Sequence, residues 1–206
     1  MFVDGVAPAS ASGLVKEIYD EDVARLGYLP NYTRLFSLRP EVYTAWRGLI
    51  GAVTANMDPR RYELATIAAA SALRCTYCVV AHGAVLASKF FTPEEVVTLA
   101  HDFRSAGLSP VDVAIMELAE KVALNAYKVT EDDVERLRGF GLVDAEILDV
   151  VLAAAARAFF SKSLDSMGAE ADEVYLAQLG VDVAAELAVG RPFPMTMQPI
   201  DAPGPA

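Results

Sequence analysis

Apolar residues recur along this chain every three or four positions, and no convincing run alternates at every second one. Ile115, Leu118, Ala119 and Val122 fall on one stripe; Ile147, Val150, Val151 and Ala154 fall on another. This is the 3.6-residue period of a helix with one buried face. The punctuation agrees. Asp58-Pro59, Thr92-Pro93 and Ser109-Pro110 each set a capping residue before a proline at the first helical position. Glu95 would complete a capping box with Thr92. Thr130 precedes Glu131, Asp132 and Asp133, acids that suit a helix N-terminus. Asp144 is expected to cap a long helix that stops near Gly168. The predicted helices cover 14–26, 40–56, 59–73, 76–89, 93–104, 110–126, 131–139, 145–167 and 171–179. The pattern is that of an all-α fold.

At 206 residues the expectation is one domain with a substantial core. Residues 1–190 read as that domain. Residues 191–206 hold five prolines and no helical stripe, and read as an extended or disordered arm. If ordered, the arm would lie across a neighbouring subunit. The formal net charge of −11 argues against nucleic-acid binding, which needs clustered Lys and Arg. It suits solubility. The start MFVDGVAPASASG lacks the basic segment and apolar centre of a signal peptide. No uninterrupted apolar run reaches the roughly eighteen residues a membrane span needs. The strongest, Val150 to Phe160, contains Arg157 and reads as a buried helix. The expected location is the cytoplasm, away from membranes. There, a lone cysteine pair points to redox or metal chemistry rather than to a structural staple.

That pair is the most specific feature of the chain. Its only two cysteines stand in Cys75-Thr76-Tyr77-Cys78-Val79-Val80-Ala81-His82, with Glu63 twelve residues before Cys75. If Cys75 opens a helix, Cys78 and His82 share its face. The unpaired amides and partial positive charge of the helix N-terminus favour a thiolate. The spacing also suits a disulfide. His82 is placed to exchange a proton with Cys78. Glu63, on the preceding helix, could orient His82 directly or through a water. Cys78 would then attack, and Cys75, nearer the helix tip and solvent, would resolve the product. Peroxide reduction matches these parts: a sulfenic acid forms on Cys78 and condenses with Cys75 to a disulfide, which a dithiol reverses. The alternatives are a pair of small buried apolar residues or a zinc site drawing on Cys75, Cys78, His82 and Glu63.

A glutamate, eleven residues, then CxxCxxxH resembles the alkylhydroperoxidase AhpD, within the carboxymuconolactone decarboxylase superfamily. The match falls on Glu63, Cys75, Cys78 and His82, and extends through RYELATIAAASALRCTYCVVAHGAVL. LGYLPNYTRLFSLRPEVYTAW is similar to the subgroup of peroxidase-related proteins. The resemblance runs over roughly residues 20–170. It implies an AhpD-like helix bundle with the CxxC at a helix N-terminus, a homo-oligomer such as a trimer or hexamer, and disulfide-linked peroxidase activity. It also implies a dithiol or lipoyl-type protein reductant and no cofactor or metal. One departure is Tyr77, where some AhpD proteins carry a histidine. The rival functions are a thiol–disulfide oxidoreductase serving a protein partner and a non-redox oligomeric member of the superfamily.

Other residues read more plainly. Arg74 could lower a thiol pKa or simply sit at a helix C-terminus. Tyr77 could line a pocket or pack. His101 reads as a surface residue. Phe36, Tyr43 and Trp46 read as core or oligomer interface rather than as a substrate box. No cluster of basic residues stands out for a dicarboxylate substrate.

Overall fold

The protein is described by a computed structural model over residues 1–193, so most of the expected arm, 194–206, lies outside the described residues. Among the described residues there are eleven α-helices and no strand. They are α1 (Gly13–Leu26), α2 (Asn31–Phe36), α3 (Pro40–Thr54), α4 (Pro59–Ala72), α5 (Thr76–Lys89) and α6 (Pro93–Asp102). They continue with α7 (Pro110–Asn125), α8 (Glu131–Gly139), α9 (Asp144–Ser166), α10 (Val174–Leu179) and α11 (Val181–Glu186). All nine predicted helices are present. The short α2 and α11 are additional.

The capping chemistry forms where the sequence places it. Asp58 accepts the Arg61 N–H at 2.9 Å. Thr92 and Glu95 exchange both bonds of a capping box. Ser109 accepts from Asp112 N–H. Asp144 differs from expectation: Val143 is the capping residue, and Glu146 accepts its N–H at 2.9 Å. Asp144 instead pairs with Arg138 at 2.7 Å across the α8–α9 loop.

The core is built around α4. Leu64 through Ala70 are all buried, the sign of a helix covered on most sides. α7, α9 and α5 pack against it. Its small alanines let α7 and α9 approach closely while their Ile115, Met116, Val150 and Ala154 fill the space between. A second node joins α1, α2 and α3. Asp22 is fully buried and accepts hydrogen bonds from Thr33 Oγ1 at 2.6 Å, Tyr43 OH at 3.0 Å and Arg25 Nη2 at 2.6 Å. Those three donors satisfy a carboxylate that burial alone would penalise.

The turn from α4 into α5 positions the cysteines. Arg74 takes a left-handed backbone with φ of 57°, uncommon outside glycine, and so reverses the chain in three residues. The end of the described chain lies over this turn. Arg74 Nε donates to Val189 O at 3.0 Å, and Gly190 N–H donates to Thr76 Oγ1 at 3.0 Å. A side chain at Gly190 has no room, since its Cβ would sit 1.8 Å from Arg74 O. Arg191 continues the contact to Asp165 O at 2.8 Å, and Phe193 is buried.

Candidate active site

Cys75 is the N-cap of α5, and Cys78 lies in its first turn. The sharp α4–α5 reversal brings the two helices side by side. Glu63 of α4 therefore meets His82 of α5 directly, Oε2 to Nδ1 at 2.6 Å, without a bridging water. Both side chains are largely buried. The bond fixes the ring and leaves its other nitrogen for exchange. Tyr62 meets the same ring edge-on, with centroids 6.3 Å apart.

The thiols are free and in contact. Burial pushes the Cys78 thiol up. A hydrogen bond from Cys75, the charge of Arg157, the Ser161 hydroxyl and His82 overcome it and hold Cys78 well below the ordinary thiol range. Cys75 moves the other way: its bond to Cys78 raises it first, and burial adds to that. One proton shared between two adjacent sulfurs divides the pair into a thiolate and a donor thiol. The expectation that Cys75 lies nearer solvent is corrected. It is fully buried under the 188–193 segment, while Cys78 is the sulfur that faces open space.

That space is a cavity of about 490 Å³ between α3, α5 and α9. Cys78 and His82 line it together. Tyr43 and Trp46, read from sequence as core or interface, line it as well. Trp46 stacks on Phe160 with centroids 4.1 Å apart and an interplanar angle of 18°. Tyr32 meets Phe160 edge-on at 5.5 Å. Tyr77 is both wall and pack: it lines the cavity while its buried hydroxyl donates to Asp172 and accepts from Tyr32 N–H. Burial raises the Asp172 carboxyl to about 6.

Arg157 is the residue that sequence reasoning passed over. It is 4% exposed, lines the cavity, and puts Nη1 3.5 Å from Cys78 Sγ. Its only signal in the sequence is a cation inside the strongest apolar run, on the α9 face that turns toward α5. Arg74, by contrast, is held over the 188–193 segment by its bond to Val189 O. His101 is exposed, with Nε2 on Glu186 O at 2.8 Å. Among the described residues no group of three or more His, Cys, Asp or Glu is placed to hold a metal ion. No described helix is long and apolar enough to cross a membrane.

The arrangement joins a buried thiolate, a second thiol in contact with it, and an oriented imidazole at the wall of an aromatic cavity. Comparison with known proteins places this in context. The model of the carboxymuconolactone decarboxylase family matches residues 40–121, which include Glu63, both cysteines and His82. An alkyl hydroperoxide reductase of Mycobacterium tuberculosis is 34% identical over 107 residues, 51% of this chain but only 31% of that protein's length. Among solved structures, the alkylhydroperoxidase AhpD core of an uncharacterized peroxidase-related protein from Ralstonia eutropha superposes with a TM-score of 0.80. It is 22% identical and covers 87% of this chain and 96% of that one. A debrominase in complex with 2,3,4-tribromopyrrole superposes at 0.71 and 14% identity, covering 89% and 97% of the two chains. At these identities the two structures share the fold.

Proposed function

We propose, from the match of residues 40–121 to the carboxymuconolactone decarboxylase family, that this chain reduces hydroperoxides through a Cys75–Cys78 disulfide cycle. The observation that carries this reading is the division of labour between the sulfurs. Cys78 is the one held as thiolate and the one that faces the cavity. The Cys78 thiolate attacks the outer peroxide oxygen. The O–O bond breaks, Cys78 becomes a sulfenic acid, and the alkoxide leaves with a proton delivered through His82. Cys75 then attacks the Cys78 sulfur and expels hydroxide, which leaves as water after protonation. The sum is two thiols and ROOH giving a disulfide, ROH and water. A dithiol donor restores the pair by exchange. Glu63 orients His82 and stabilises its charged form.

Enclosure favours a small molecule over a protein disulfide as the oxidant. Cys78 is reached through the cavity, and Cys75 is covered. The test is hydroperoxide consumption with dithiothreitol as reductant. Wild type is expected to turn over, Cys78→Ser to be inactive, and Cys75→Ser to stall as a sulfenic acid trapped by dimedone. A wild type that forms the disulfide yet consumes peroxide no faster than dithiothreitol alone would remove the peroxidase reading.

The aromatic walls favour one second reading, reductive dehalogenation of a planar aryl halide. The same couple balances it: the carbon–halogen bond becomes carbon–hydrogen, halide leaves, and two thiols become a disulfide. Bromide release from a brominated pyrrole by the reduced protein, without peroxide, distinguishes it.

A further inference from the structure

The chain carries a formal net charge of −11, yet three arginines and no aspartate or glutamate line the Cys78 cavity. Two of the arginines are engaged. Arg25 pairs with Asp22 at 2.6 Å and Arg47 with Glu21 at 2.9 Å. Arg157 is different. It is buried, its Nε has no hydrogen-bond partner, and no carboxylate is paired with it among the described residues. A cation withdrawn from water is costly unless an opposite charge meets it. Here the Cys78 sulfur meets it.

Oxidation removes that counter-charge. Once Cys78 is bonded to Cys75, no thiolate remains, and Arg157 is a buried cation at the wall of an open cavity. Much of the wall beside it is aromatic: the Trp46–Phe160 stack, Tyr32, Tyr43 and Tyr77. Flat rings pack well against such faces. A guanidinium fork matches a carboxylate. A cavity of about 490 Å³ has room for a substituted benzene ring.

We propose that this cavity binds planar aromatic carboxylates, with the carboxylate on Arg157, and binds them more tightly when Cys78 carries no charge than when it is a thiolate. The link to turnover rests on the disulfide cycle proposed above; the site itself needs only an uncharged residue 78. Linkage then runs both ways. A tenfold preference for the disulfide form lowers its reduction potential by about 30 mV. An aromatic acid therefore holds the protein in its oxidised state and slows its return to the dithiol.

Trp46 is the only tryptophan and lines the site, so its fluorescence reports occupancy. The probes are 4-bromobenzoate and its neutral counterpart 4-bromobenzyl alcohol, whose bromine quenches indole emission. Both are titrated at pH 8 into reduced wild type, diamide-oxidised wild type and Cys78→Ser. The acid is expected to bind the oxidised protein and Cys78→Ser at least tenfold more tightly than reduced wild type, with no such difference for the alcohol. Arg157→Met should erase the preference for the acid. Equal affinity of acid and alcohol for Cys78→Ser overturns the proposal, as does equal affinity of the acid for Cys78→Ser and reduced wild type. These comparisons leave Arg157 intact, so they hold even where Arg157→Met does not fold. If diamide forms no disulfide while Cys78→Ser binds the acid, the redox cycle fails and the site stands.

Discussion

At the scale of the residue, Cys78 and Arg157 explain each other. A buried thiol ordinarily resists ionisation, and a buried guanidinium ordinarily seeks a carboxylate. Placed 3.5 Å apart, each supplies the charge the other lacks. The Cys78 thiolate should therefore form below the ordinary value of about 8.5 for a free cysteine. Following absorbance at 240 nm against pH checks this, with Cys78→Ser as the blank. Arg157→Met should move the transition upward. Because the folded pKa is depressed, the stability this thiolate contributes is present above the unfolded value and lost as pH falls through the folded one. His82 is expected to matter through proton transfer, and His82→Asn should slow peroxide turnover by about 10²–10⁴-fold. Glu63→Gln should cost less, because Glu63 acts through His82. Of these residues, Glu63, Cys75, Cys78 and His82 were legible as one pattern. Arg157 was legible only as a charge in the wrong place, since pairing between α5 and α9 is no property of either segment alone.

At the scale of the element, the α4–α5 reversal is the device that builds the site. It depends on Arg74 in a left-handed conformation and on the 188–193 segment that packs over it. Gly190→Ala introduces a Cβ where Arg74 O already lies, so the segment must lift. The expected result is faster labelling of Cys75 by a thiol reagent such as DTNB, measured in Cys78→Ser so that one thiol reports. An unchanged rate would mean that the segment does not protect Cys75. Helices of nine residues or more were readable because their stripes repeat for two turns or more and their caps are explicit. Of the three six-residue helices, α10 was read within 171–179, while α2 and α11 were not. Less than two turns gives little period to detect, and these helices are held by tertiary contacts rather than by propensity.

At the scale of the molecule, the outer faces of α3 and α9 are unusually apolar. Val42 and Leu49 on α3, and Leu148, Leu152 and Phe159 on α9, are all exposed. Leu38, Val42, Phe159 and Met167 border one shallow concavity of about 660 Å³. Such a surface suits the homo-oligomer that the sequence resemblance implies. Light scattering is expected to give a mass several times that of one chain, and Phe159→Glu with Leu152→Glu should reduce it. A wild-type protein that runs as a monomer would exclude that use of the surface.

The sequence by itself determined what is local. The helical period, the proline and capping signals, and the close spacing of Cys75, Cys78 and His82 are relations between neighbours on one segment, so they can be read without a fold. Tertiary structure decided what depends on distant segments meeting. It made the Glu63–His82 contact direct, buried Cys75 instead of exposing it, and turned Tyr43 and Trp46 into cavity wall. It also set the buried cation of Arg157 against the Cys78 thiolate. Each of these follows from how α3, α4, α5 and α9 pack, and packing is chosen by the whole core at once.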